Sequence, residues 1–257
     1  MSDYDENELE DRLHRLNAIG ISLSSKQMEI DKLLEQILVE ARRFTYAEAG
    51  TLYMVEAEYL TFAYAQNDSL NITTNPADQP SFPPVPLTKD SVSGYVALTG
   101  ETLKVADVYD ENAHHWEGPK SYDRLMGYRT QSMLVVPMKD HDGIVIGVLQ
   151  LLNAKAKGGG YTTFSSQDET LIESLASQAA VAINNARLIR DMESLFNSFV
   201  QVMASAIDER SPYTGGHIRR VAALTMVMAK TVNRIDEGPF ADFYFSDDEL
   251  RELHMAA

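Results

Sequence analysis

His217, with Asp208, Glu209 and Arg210 near it, offers residue types that could begin a metal site, or else reads with them as helix-end charge around a turn. It opens an expected helix carrying Arg220 and Val221, directly after a Pro212-Tyr213-Thr214-Gly215-Gly216 turn, with Asp208-Glu209-Arg210 just before it. Imidazole and carboxylate are the ligand types of hydrolytic metal centres, but such an open centre needs about three protein ligands plus a water. One imidazole is too few, so this chain alone is expected to hold no catalytic metal and to be inactive as an enzyme. His141-Asp142 pairs the same types within Asp140-His141-Asp142-Gly143, between two apolar runs. There Asp and Gly serve a hairpin turn for backbone reasons, and the pair reads as a turn. His114-His115-Trp116 reads either as a pocket lid or as an exposed loop.

Composition narrows the function classes. The 257 residues are 44% hydrophobic, enough for one full core and the start of a second. A net charge of −16 repels a phosphate backbone, so general nucleic-acid binding is not expected. The chain has no cysteine, which removes disulfides and thiolate chemistry and suits a reducing compartment. No apolar run approaches the roughly 20 residues of a membrane span, and the acidic N-terminus is unlike a signal peptide. A cytoplasmic protein is expected.

These residues need elements to hold them. Leu9, Leu13, Leu16 and Ile19 predict a helix over Asp3–Ser24. Ile30, Leu33, Leu34, Ile37, Leu38 and Ala41 predict a second, from about Glu29 to Tyr46. Strands follow at Gly50–Val55 and Tyr59–Gln66, then a loop over Asn75–Pro86 with five prolines. Ser91–Thr99 reads as a short helix ended by Gly100, and Leu103–Val105 as a strand. His114–Met126 reads as irregular, with one helical turn near Asp123. Met133–Lys139 and Ile144–Asn153 form a hairpin.

From Ser165, an expected N-cap, a helix runs without a breaker to about Arg210. One heptad seam holds Leu175, Ala182, Ile189, Phe196 and Met203; the other holds Leu171, Gln178, Asn185, Met192, Phe199 and Ala206. Offsets of three and four are coiled-coil geometry, with Gln178 and Asn185 buried to fix register. Before Ala186 the helix either pairs this way or packs on its own domain. Beyond Ile189 a dimer-forming signalling helix is expected.

Residues 30 to 188 resemble a GAF domain. The resemblance rests on Ser93-Gly94-Tyr95-Val96-Ala97 with Thr99-Gly100-Glu101, then Leu103-Lys104-Val105-Ala106-Asp107. Gly127-Tyr128-Arg129-Thr130-Gln131-Ser132 leads into Met133–Met138, Gly143–Asn153 follows, and Phe164 precedes Asp168-Glu169. It implies an α+β fold: an antiparallel sheet of about six strands, terminal helices on one face and a ligand region on the other. Within that family the chain resembles the regulatory GAF modules of cyclic-nucleotide phosphodiesterases, marked by Asn-Lys and then Phe-x3-Asp-Glu. Asn153, Phe164, Asp168 and Glu169 match, but Ala154 takes the lysine position and Lys155 stands one residue on, turned to the opposite face. The resemblance implies ligand contacts at Val92, Ser93, Asp123, Thr130 and Gln150, with a cyclic nucleotide as candidate. Alternatively, Thr130 satisfies a strand-end backbone group, Asp123 caps a short helix and Gln150 pairs across the sheet.

The segment around His217 resembles the start of an HD-GYP domain, a metal-dependent phosphohydrolase family that hydrolyses cyclic di-GMP. This implies that His217 is a ligand for iron or manganese in the complete domain. The chain stops at Leu253-His254-Met255-Ala256-Ala257, about where that family places its His-Asp pair. The expected organisation is an N-terminal helix (1–28), the GAF sensor (29–187), a signalling coiled coil (188–210) and a short all-α fragment (211–257). The expected partner is a second copy, through the N-terminal and signalling helices. The alternatives are a dimerisation module without a small ligand, and a phosphohydrolase identified through its parent.

Overall fold

The computed structural model describes residues 30–74, 83–110, 116–156, 158–210 and 217–256. The expected N-terminal helix, Pro76 and Pro80, His114-His115 and the Pro212–Gly216 turn lie outside the described residues, as do the side chains of 207–210 and 217–219. The chain divides into two compact units, residues 1–187 and 188–257.

Helix α1 (Ile30–Thr45) forms on the expected stripe, burying Leu33, Leu34, Ile37, Leu38, Ala41 and Phe44. Tyr46, at φ 52°, ends it in the left-handed region and releases the chain into β1 (Ala47–Glu56), which turns at Ala57 into β2 (Tyr59–Asn67). Short strands β3 (Ile72–Thr74) and β4 (Val85–Pro86) precede α2 (Val92–Thr99). Then come β5 (Leu103–Val105), α3 (Glu117–Met126), β6 (Met133–Lys139), β7 (Val145–Lys155) and β8 (Tyr161–Thr162). The sheet runs β3-β2-β1-β7-β6-β5, with β4 on β2 and β8 on β7. Every described pairing is antiparallel, giving the expected α+β architecture.

The sheet is covered on both faces, which is why β6 and β7 read as near-continuous apolar runs. Leu134, Val136 and Met138 share one core with α1 and the first half of α4 (Ser166–Arg210). Met133 and Val135 point the other way, into a core with Val92, Val96, Val108 and Trp116. Gly50 sets how closely α1 approaches, because a Cβ there would lie 2.8 Å from Leu38 Cδ1 and 3.1 Å from Leu151 Cδ2.

One expectation is corrected, and one open alternative is decided. Residues 117–126 form a helix, not an irregular connection; Gly118-Pro119 fall in its first turn, where a missing N–H removes no helical bond. The first half of α4 packs on its own domain, with Ile172, Leu175, Ala176, Ala179, Ala180 and Ile183 buried. Within one chain Gln178 is half-buried and Asn185 exposed, so neither is a buried register-fixing group there. Ser165 caps α4 as expected: its Oγ accepts from Asp168 N (3.1 Å) while Asp168 Oδ2 accepts from Ser165 N (2.8 Å).

In the second unit, α5 (His217–Val232) and α6 (Asp247–Ala256) are joined through Asn233, which donates to Phe245 O and accepts from Phe245 N, both at 2.8 Å. Ser246 and Glu249 form a reciprocal cap on α6. Val221, Leu224, Val227 and Met228 are exposed.

Candidate ligand-binding site

The five expected ligand residues are all buried, and they fall into two clusters. In the first, Ser91 Oγ accepts from Gly94 N at 3.0 Å, capping α2 so that Val92 and Ser93 face the sheet. Beneath them the Tyr53 hydroxyl on β1 donates to Gln150 Oε1 on β7 (3.0 Å), and Gln150 Nε2 donates to Met133 Sδ (3.3 Å). Burial raises the pKa of Tyr53 far above its ordinary value despite hydrogen bonds with Ser93 and Thr51. The phenol therefore stays protonated. The first cluster thus offers a hydroxyl, an amide and an aromatic wall from Phe62, 4.8 Å from the Tyr53 ring.

The second cluster forms where α3 ends. Gly127, at φ 63°, lets its own N–H return to Asp123 O and turns the chain back toward the helix. Thr130 then reaches Asp123 twice, N to Oδ2 and Oγ1 to Oδ1, both at 2.8 Å. Tyr109 OH adds a third donor to Oδ2, also at 2.8 Å. Burial, then the Asp123 carboxylate, raises the Tyr109 pKa. Arg129 stands 4.6 Å and Lys120 5.6 Å from the Tyr109 ring centre, so cations flank this phenol. Trp116 is buried, edge-on to Tyr95 at 5.6 Å. A cavity of about 220 Å³ opens beside it, walled by Leu103, Val105, Asp107 and Asp110.

Both clusters are satisfied from within the chain. Asp123 and Thr130 bond each other, as do Tyr53 and Gln150, so an incoming ligand must replace these bonds with its own. Gln150 does pair across the sheet. Asp123 uses its side chain on Thr130 rather than on a helix end.

A third network carried no motif. Glu48 on β1 is 3% exposed and accepts from Tyr161 OH (2.6 Å), Tyr128 OH (2.7 Å), Asn153 Nδ2 (3.2 Å) and the Ser69 hydroxyl. Burial works to raise its pKa, but these four donors outweigh it and hold the carboxyl below its usual range. The signal was a lone carboxylate inside the otherwise small and apolar run Ala47–Gly50. Asn153, fully buried at φ 57°, also accepts from Gln131 N (2.7 Å) and donates to Tyr128 OH and Arg129 O (both 2.9 Å). Ala154 lies in the helix-side core, while Lys155 reaches Asp68 at 2.8 Å. Asp168 is engaged by Ser165 instead.

A metal was expected only for a larger domain. His217 is the first residue of α5. Among the described residues, a group of possible ligands lies at Asp140, His141 and Asp142, within 4.8 Å of one another. Asp140 Oδ1 there already accepts from Asp142 N (3.0 Å) and Ile144 N (2.9 Å), which is hairpin-turn geometry. It belongs to the β6–β7 turn, so the described residues provide no set that fits a hydrolytic iron or manganese centre beside α5.

A family model described as the GAF domain matches residues 29–183. The chain is 35% identical over 97 residues to dual 3',5'-cyclic-AMP and -GMP phosphodiesterase 11A of Takifugu rubripes, covering 38% of this chain and 10% of that protein. It is 29% identical over 171 residues to dual 3',5'-cyclic-AMP and -GMP phosphodiesterase 11 of Drosophila melanogaster, covering 63% and 11%. The matches thus span about a tenth of these curated relatives. Among solved structures, a similar fold occurs in the GAF domain of a phosphoenolpyruvate-protein phosphotransferase from Coxiella burnetii. There the TM-score is 0.52 at 16% identity, over 70% of this chain and 96% of that one. Residues 122 to 287 of a methyl-accepting chemotaxis protein give 0.50 at 19% identity, over 66% and 98%.

Proposed function

The chain belongs to the GAF domain family, and from that premise we propose that its first unit is a sensor whose output travels along α4. One observation carries this reading: the surroundings change along a single helix. Leu175 and Ala182 are buried, whereas Ile189, Phe196 and Met203 of the same heptad seam are exposed, as are Met192 and Phe199 of the other. An open apolar seam of this spacing fits a partner helix, and a second copy supplies an identical one. The homodimer forms through this seam and the expected N-terminal helix.

The candidate ligand is a cyclic nucleotide at Val92, Ser93, Asp123, Thr130 and Gln150. Support comes from the two curated relatives, both named as dual cyclic-AMP and -GMP phosphodiesterases. A ligand favouring one helix arrangement by a few kcal/mol shifts output tenfold or more. In the complete protein, α4 leads into an HD-GYP cyclic di-GMP phosphodiesterase, where His217 would be one ligand of an iron or manganese centre. None of the described residues is assigned a step of that reaction. Among them no helix is long and apolar enough to cross a membrane, and a cytoplasmic location fits this reading.

Sedimentation equilibrium and thermal shift with cyclic AMP and cyclic GMP test the proposal together. Expected are a mass of two chains and a raised melting temperature with one nucleotide. In the complete protein Ile189→Pro should uncouple ligand from output; unchanged regulation in that variant ends the reading. A second reading, a dimerisation module without a small ligand, is favoured by the internal satisfaction of Asp123 and Gln150. It predicts the two-chain mass with no shift from any nucleotide.

A further inference from the structure

We propose that Glu48 is a positioning residue that ties the segment 127–131 to the roots of α1 and α4, so that displacement at Asp123 and Thr130 reaches both helices through one carboxylate. This rests on the reading of Asp123 and Thr130 as part of the ligand site.

Glu48 is the second residue of β1 and stands three residues beyond the end of α1. Both its oxygens are used, and the donors come from separate parts of the chain. Tyr128 lies two residues past the end of α3 and two before Thr130, and bonds Oε2. Tyr161 lies on β8, four residues before the α4 cap at Ser165, and bonds Oε1. Asn153 holds the same segment from its other side, through Gln131 N, Arg129 O and the Tyr128 hydroxyl itself.

Among the described residues no cation forms an ion pair with this carboxylate. The two terminal nitrogens of Arg42 donate to the Glu48 carbonyl (2.6 Å), to Gln66 and to Asp68, and Lys155 also turns to Asp68. A buried anion held by neutral donors is sensitive to the loss of any one of them, because the remaining donors must then close around it. Moving Tyr128 with a ligand-bound Thr130 therefore requires Tyr161, and the chain leading into α4, to adjust.

Hydrogen–deuterium exchange on the full 257-residue chain tests this. The reporting amides are Tyr128, Thr130 and Gln131 on one side and Asp168 and Glu169 on the other, each hydrogen bonded in the native state. Tyr161→Phe, altered only on β8, should raise exchange across 127–131 by about threefold or more, and Tyr128→Phe should do the same across 161–169. Glu48→Gln should raise both. If each tyrosine variant opens only its own segment, the inference is overturned; uniform loosening of the whole domain overturns it too. Should Glu48→Gln fail to fold, the two tyrosine variants decide. Absent nucleotide binding with the cross-effect intact removes the ligand reading and leaves the link standing. Intact binding without the cross-effect removes the link alone.

Discussion

The Tyr53 hydroxyl donates to the Gln150 side chain at 3.0 Å, joining adjacent strands on the face opposite α1 and α4. Removing the donor leaves a buried amide oxygen unpaired, which costs about 1–3 kcal/mol. Tyr53→Phe should therefore lower the urea midpoint of the first unit without changing the slope of its transition. An unchanged midpoint would show that Ser93 or water replaces the phenol.

Asp123→Asn tests the second cluster. The carboxylate accepts three bonds, and an amide must turn an NH2 toward a donor. The expected loss is about 1–3 kcal/mol. Tyr109 offers a second readout. Its pKa is raised by burial and then by Asp123, so removing the negative charge should lower its titration, seen as phenolate absorbance at a less alkaline pH.

Glu48 makes stability depend on pH with a definite sign. Its folded pKa lies below the ordinary carboxyl value. The ionised group therefore stabilises the fold above its unfolded pKa, and this contribution fades as pH falls through the lower folded value. Wild type should exceed Glu48→Gln in stability at neutral pH. The difference should narrow in acid, below the ordinary carboxylate range, and denaturant titrations at several pH values measure it. A gap that widened in acid would reverse the assignment.

Gly50→Ala should loosen the seat of α1. The added methyl meets Leu38 Cδ1 at 2.8 Å, and overpacking of this kind costs about 1–3 kcal/mol. The melting temperature reports it.

The two halves of α4 should respond in opposite ways. Ile183→Ala removes core volume and should cost about 2–5 kcal/mol of stability. Phe196→Ala removes an exposed ring and should spare the melting transition of the first unit while weakening self-association in sedimentation.

Much of this was legible because it is local. The stripe Leu33 to Ala41 dictates α1, the Asp140–Gly143 turn dictates the β6–β7 hairpin, and Ser165 with Asp168 announces the start of α4. Helix α3 was missed because Gly118-Pro119 looks like a breaker unless it falls in a first turn. The resemblance could put Asp123, Thr130 and Gln150 forward as candidates, but the Asp123–Thr130 bond follows from the reversal at Gly127. Glu48 was out of reach, since its donors stand 21, 80, 105 and 113 residues away.

The carboxylate with two cations, Asp68, is half-exposed, whereas among the described residues buried Glu48 has no ion pair. Added salt should therefore screen Arg42 and Lys155 from Asp68 over a Debye length of about 10 Å at 0.1 M. It has little purchase on a charge held by phenols and an amide. The node beneath β8 should then keep its geometry from dilute buffer to concentrated brine, while the surface ion cluster beside it comes and goes with ionic strength.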